Sequence, residues 1–407
     1  MHMGLLIQNT HVYGKEGLFD VLLDNGVIRD VASGLPAAGH QVLQGEEGCL
    51  TPAFVDLHMH LEKALTIGDQ ECPGLIDAID SFSRYCEEVI APEDIRTRVG
   101  RVLKKAVSHG TLAIRTHVSV DDVLGTMAVE TMLDIKEQFR DLVDLQIIVM
   151  LSGLELTDKA YRAMDSLGHT AIDGYGSAPA LSEDPCGQID AIFELAMKHG
   201  KIVDLHADEH DQPDVRTIDC FARKIMETGM TGKCTGGHLC GLSAVDGDKA
   251  RETIGLIRDS GMHVVTLPSC NLYLMGRKDQ GLVRRGTTRI RELYDAGVNI
   301  CLASDNIRDP FRPFGNGDIL EEMLLTAQVA QMGTFSDLDK VFRMGTYHPA
   351  AAMGLEGYGV EPGCRADLVL LDAPSAAEAI LGRANRRFVF RRGRLVVENR
   401  RETYRHF

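Results

Sequence analysis

Phe54-Val55-Asp56-Leu57-His58-Met59-His60 is an apolar run that ends in two imidazoles at alternate positions. On a β-strand, residues i and i+2 point to one face, so both rings reach a common point. Imidazole is a usual ligand for a borderline cation such as zinc or ferrous iron. Alone, the pair reads more readily as two partly buried histidines with backbone partners than as a catalytic site. Three more segments share its form, an apolar run ending in metal-competent or acid-base side chains: 202–209 with His206 and Glu209, 234–238 with His238, and 298–305 with Asp305. Other β-rich runs at 112–118, 145–151, 171–178 and 262–267 bring the number to eight.

Segments able to hold helices separate these runs, at 92–109, 127–140, 186–199, 215–228, 246–260 and 287–296. Strand and helix patterns in alternation predict a parallel sheet. Eight such units close into a (β/α)8 TIM-like barrel, whose catalytic groups project from the C-terminal strand ends toward one mouth. The candidate residues sit at those ends. The chain of 407 residues exceeds one barrel. Residues 1–50 and 360–407 read as short strands, at 5–9, 19–23, 27–31, 367–371, 388–390 and 394–397, and Asn25-Gly26 and Arg392-Gly393 read as hairpin turns. The expected fold class is therefore α/β, with a barrel over 51–359 and a small β-sandwich domain formed from both termini.

A net charge of -16 argues against nucleic acid as a partner, because phosphate binding rests on clustered Lys and Arg. No apolar stretch approaches a membrane span, and Met1-His2-Met3-Gly4 lacks the order of an export signal, so no membrane partner is expected. Ten cysteines are sparse and irregular in so long a chain, which favours a reduced, cytoplasmic setting.

The order of motifs resembles the cytosine deaminase branch of the amidohydrolase superfamily. It runs from Phe-Val-Asp-x-His-x-His-Leu through Arg115-Thr116-His117-Val118 and His206-x-x-Glu209 to the stretch from Asn271 to Arg289 and then Asp305-Asn306-Ile307-Arg308-Asp309-Pro310-Phe311. The triazine-degrading aminohydrolases share the same ligand order. The resemblance implies one divalent cation, zinc or iron with manganese as an alternative, held by His58, His60, His206 and Asp305 with a position open for water. Dinuclear relatives bridge two metals through a lysine carbamate or a carboxylate after the fourth strand. Here that place reads Gly176-Ser177-Ala178-Pro179, with Asp184 nearby.

The implied reaction is hydrolytic deamination of a cytosine- or isocytosine-like pyrimidine or a triazine, with hydroxide held on the metal adding to the amine-bearing carbon and ammonia released. Asp305 would relay the proton, Glu209 would protonate the adjacent ring nitrogen, and His238 would stabilise developing charge. Leu75 and Phe311 match apolar pocket walls of the family. Ser152 stands where cytosine deaminases carry a glutamine that pairs with the ring edge, and Asn306 replaces an aspartate, so the substrate is expected to differ from plain cytosine. Hydrolysis of a cyclic amide or imide at the same centre, and a non-catalytic binding protein on the same barrel, are the alternatives. The expected partner is a small heterocycle, and the resemblance implies a homo-oligomer. His117 reads as a residue that orients a barrel layer or hydrogen-bonds groups behind the ligands, His348 as a packing residue, and Lys63 as an exposed loop lysine in preference to a substrate contact.

Overall fold

The computed structural model describes residues 4–68, 72, 74–281 and 283–406; Met1 to Met3 lie outside the described residues. Five strands come first: β1 (Leu5–Val12), β2 (Phe19–Asp24), β3 (Val27–Ala32), β4 (Gln41–Gln44) and β5 (Cys49–Pro52). Eight barrel strands follow: β6 (Phe54–Met59), β7 (Thr111–Val120), β8 (Asp144–Leu151), β9 (Gly174–Gly176), β10 (Ile202–Ala207), β11 (Cys234–His238), β12 (His263–Thr266) and β13 (Asn299–Leu302). The tail adds β14 (Leu368–Leu371), β15 (Arg386–Arg391) and β16 (Arg394–Glu398).

Strands β6 to β13 are parallel and adjacent in chain order. The ring closes where Met59 bridges Asp305 and the Asp305 N–H donates to the His58 carbonyl at 2.9 Å. The second sheet runs β16-β15-β14-β5-β1-β2-β3, with β4 against β1, and so is built from both ends of the chain. Its turns carry the chemistry their residues demand: Asn25 and Gly26 have φ of 51° and 82°, and Arg392 and Gly393 have 48° and 73°, the paired positive values of a tight hairpin. Arg391 and Arg365 both pair with Asp144 at the start of β8, which fastens this sheet to the barrel.

Two expectations need correction. The run at 171–178 yields only a three-residue strand, because Gly174 and Gly176 lie flat against β10; a Cβ at Gly176 would stand 2.2 Å from the Asp204 carbonyl. Helices Leu75–Glu88, Asp158–Leu167, Ile319–Val329, Phe335–Met344, Tyr347–Ala352 and Ala376–Gly382 were not anticipated. Cys186 and Cys220 are joined as a disulfide between helices Pro185–His199 and Thr217–Thr228, a pairing that the expectation of reduced cysteines did not include. Among the described residues no helix is long and apolar enough to cross a membrane. His348 packs as expected, stacked on Tyr294 and bonded to the Ile300 carbonyl.

Candidate active site

The C-terminal ends of β6, β10, β11 and β13 bring four imidazoles and two carboxylates into one buried cluster. His60 Nε2 lies 3.0 Å from His206 Nε2, and Asp305 Oδ1 lies 3.5 Å from His60 Nε2 and 3.7 Å from His58 Nε2. Asp305 and His238 have φ of 58° and 69°. Such left-handed backbone costs about 1–3 kcal/mol per non-glycine residue, and here it sits where the strand must turn its last side chain into the mouth.

Both nitrogens of His58 and both oxygens of Asp305 are buried without a hydrogen-bond partner. A cluster of lone pairs in a dry interior is costly unless a cation or protons fill it. Burial holds the pKa values of His58, His60 and His206 well below the usual imidazole value, so the rings are neutral, the form that binds metal. Burial, the largest cause, pushes Asp305 up to about 7, and a bound cation would pull it down again. The donor set of three imidazoles and a carboxylate fits one divalent ion. Two groups of ring nitrogens lie within 4.8 Å of one another, His58 with His206 and His238, and His58 with His60 and His117. His117 stands directly behind the candidate ligands: its ring is 4.1 Å from that of His58, and its Nε2 3.1 Å from Asp204 Oδ1.

Glu209 and His238 face this cluster. The Glu209 side chain is 10% exposed, and burial together with the charge of Asp305 raises its pKa well above the usual carboxylate value, which favours its protonated form. The loop that carries it is pinned on both sides. Asp208 accepts from the N–H and hydroxyl of Thr217, capping the following helix, and Asp211 accepts from the Gly276 N–H. This acidic loop is therefore held by tertiary contacts rather than left free in solvent. His238 is held neutral by burial, its pKa lowered to about 3; Asn271 Nδ2 lies 3.0 Å and Glu209 Oε1 3.4 Å from its Nδ1. With the amide donating to Nδ1, Nε2 carries the ring proton and is buried without a partner.

All four expected wall residues, Leu75, Ser152, Asn306 and Phe311, line the pocket that also contains His60, His206, Glu209, His238 and Asp305. Asn306 is committed, donating to Asp309 at 2.7 Å. Lys63 corrects an expectation: it is 5% exposed and lines the pocket, its ammonium 5.0 Å from the Phe311 ring and 5.4 Å from that of Phe82. A lysine in a polar loop gives no sign of burial until the fold lays a helix over it. That helix, Leu75–Glu88, supplies Ile79, Phe82, Ser83 and Cys86 to the same wall. Asp121 was also missed, although the alternation His117, Ser119, Asp121 along β7 and just past its end was a signal for it.

Supporting contacts fix the ring of ligands. Asp56 accepts from the Ser304 hydroxyl at 2.5 Å and from the Ser304 N–H at 3.2 Å, tying β6 to the segment that presents Asp305. Glu62 accepts from the N–H and hydroxyl of Ser119. Arg312 donates to the Ser304 carbonyl at 2.8 Å and pairs with Glu322 at 3.1 Å. Gly237 leaves room for His58, since a Cβ there would stand 3.1 Å from the ring.

Comparison with known proteins places the chain in a family. The chain is 30% identical to the N-isopropylammelide isopropyl amidohydrolase of Pseudomonas sp. (strain ADP), over 97% of each chain. It is 31% identical to the pterin deaminase of Rhizobium rhizogenes, over 94% of this chain and 89% of that one. The crystal structure of 5-methylcytosine deaminase from Klebsiella pneumoniae, liganded with 5-fluorocytosine, superposes with a TM-score of 0.94 at 29% identity, covering 98% of this chain and 99% of that one. The model of the amidohydrolase family matches residues 91–406. The chain, barrel and strand-end cluster together, belongs to the amidohydrolase family.

Proposed function

We propose that the protein is a metal-dependent hydrolytic deaminase of a small amino-substituted nitrogen heterocycle. The observation that carries this reading is the placement of the buried Glu209 carboxyl in one pocket with His60, His206 and Asp305, where burial favours its protonated form. The names of the relatives span a pterin, a substituted triazine and a pyrimidine, which supports a flat nitrogen ring as the shared element.

His58, His60, His206 and Asp305 would hold one divalent cation, zinc or iron. Bound there, the cation supplies Lewis-acid polarisation that brings the ionisation of water near neutral pH. The residues of the chain do the rest. Glu209 gives its proton to the ring nitrogen beside the amine-bearing carbon, because addition to that carbon breaks the conjugation of the ring. Water oxygen bonds to the carbon while Asp305 takes one water proton and passes it to the amine, so that the carbon–nitrogen bond breaks and ammonia leaves. The second water proton returns to Glu209 as the carbonyl forms. His238, donating from Nε2, stabilises charge on the adding oxygen. Phe311 and Leu75 cover the faces of the ring.

The test is ammonia release by metal-replete protein across aminopyrimidines, aminotriazines, pterins and cyclic ureas. The expected result is ammonia from an aminated ring, lost on chelation and restored by zinc or ferrous iron. A new carboxylate without ammonia would instead support ring opening of a cyclic amide, and absence of any turnover would support a binding protein.

A further inference from the structure

One wall of the pocket differs in kind from the carboxamide expected there. Ser152 and Asp121 both line it. The Ser152 hydroxyl donates its single proton to Asp121 Oδ2 at 2.8 Å, with the Val120 carbonyl also within 3.4 Å. Asp121 Oδ1 accepts the N–H groups of Val123 and Leu124 at 2.8 and 2.7 Å, which fixes the plane of the carboxylate. The proton of the serine is thus spent inside the protein. What these two side chains turn toward the pocket is lone pairs: those left on the Ser152 oxygen and those left on Asp121 Oδ2. A glutamine amide would present one donor and one acceptor, matching a ring N–H beside a carbonyl. Paired acceptors match two neighbouring N–H groups, and repel the carbonyl of a donor-and-acceptor edge.

We propose that Asp121, with Ser152, is the specificity-determining acceptor of this pocket, and that the preferred substrates are heterocycles bearing, beside a ring N–H, a second amino group besides the one that leaves. This rests on the deaminase reading above. The class comprises diamino-oxo triazines and the corresponding diamino pyrimidines and pteridines, whose amidine-like edge meets a carboxylate through charge-assisted bonds.

Two rings isolate the effect: 4,6-diamino-1,3,5-triazin-2-one and 6-amino-1,3,5-triazine-2,4-dione lose the same group and differ by amino against oxo on the remaining edge. With metal-replete enzyme, kcat/KM from ammonia release is expected to favour the diamino ring by at least about tenfold. Asp121→Asn, which keeps an oxygen to accept from Val123 and Leu124 but adds a donor, is expected to lower that value about tenfold and bring the two rings near parity. Ser152→Ala, which removes one acceptor and leaves Asp121, is expected to reduce the preference without abolishing it. An unchanged ratio in Asp121→Asn, or a preference lost in Ser152→Ala alone, overturns the proposal. If wild-type protein releases ammonia from neither ring, calorimetric binding of the two separates the claims. Tighter binding of the diamino ring, lost in Asp121→Asn, upholds the role of Asp121 while the deaminase reading falls; equal or undetectable binding overturns it.

Discussion

Glu209 is the residue on which the proposed chemistry turns. Its Oε1 lies 3.4 Å from His238 Nδ1, and the two pinned aspartates of its loop hold it over the cluster. Glu209→Gln keeps the shape and removes the proton; metal content by atomic emission should match wild type while kcat falls by about 10²–10⁴. A variant that retains wild-type turnover contradicts the proposed role. Gly237 offers an independent check at the same scale. In Gly237→Ala the added methyl meets the His58 ring at 3.1 Å, so the ring must tilt, and the metal affinity measured by competition with a chelator should weaken about 10- to 100-fold. Wild-type affinity in that variant would show that the ring yields without cost. What the sequence disclosed at this scale were the residues with distinctive chemistry in a strand-end position, His58, His60, His206, His238, Glu209 and Asp305. What it concealed were residues with ordinary chemistry placed by tertiary contact. Lys63 becomes a pocket wall only because Phe82 and Phe311 close around it.

Among the elements, the seam between β6 and β13 carries the most consequence, because the barrel closes there by one bridge and both sides of it present candidate ligands. Asp56 holds that seam through the N–H and hydroxyl of Ser304 and the N–H of His58. Asp56→Ala leaves these buried donors without an acceptor, and the loss should be about 3 kcal/mol in metal-free protein, read from the midpoint of urea unfolding. A shift under about 1 kcal/mol would mean that the seam is held by packing instead. The barrel strands were legible because apolar runs ended in polar, functional side chains, and the terminal hairpins because Asn25-Gly26 and Arg392-Gly393 permit positive φ at both central positions. Helix Leu75–Glu88 was not anticipated, although Leu75, Ile79, Phe82 and Cys86 recur at helical spacing. It is an insertion in the first strand-to-helix connection, and alternation of barrel units does not call for it. β9 was placed within the run 171–178 but its shortness was not read: its pairing depends on glycines allowing close approach, which leaves no side-chain pattern to mark its ends.

Over the whole molecule, burial of carboxylates sets a pH dependence. Glu322, fully buried against Arg312, is raised by burial from 4.5 to about 7, and Asp56 is likewise raised to about 6. Between the ordinary and the raised value the folded state binds more protons than the unfolded one, so this contribution to stability is full below about 4.5 and lost as pH rises through about 7. In metal-free protein, unfolding free energy should therefore fall across that window, and Glu322→Gln should flatten part of the slope while lowering stability throughout. A slope that is unchanged in the variant contradicts the assignment. The two-sheet plan places all of the candidate chemistry at one mouth of the barrel, and it stands or falls with convergence of the strand ends on a single ion. The most direct measurement is anomalous diffraction at the metal edge from crystals of metal-loaded protein. The prediction is one peak about 2.0–2.2 Å from His58, His60, His206 and Asp305. A peak that leaves Asp305 or the His58 and His60 pair outside bonding distance, or no peak at that cluster, would contradict it.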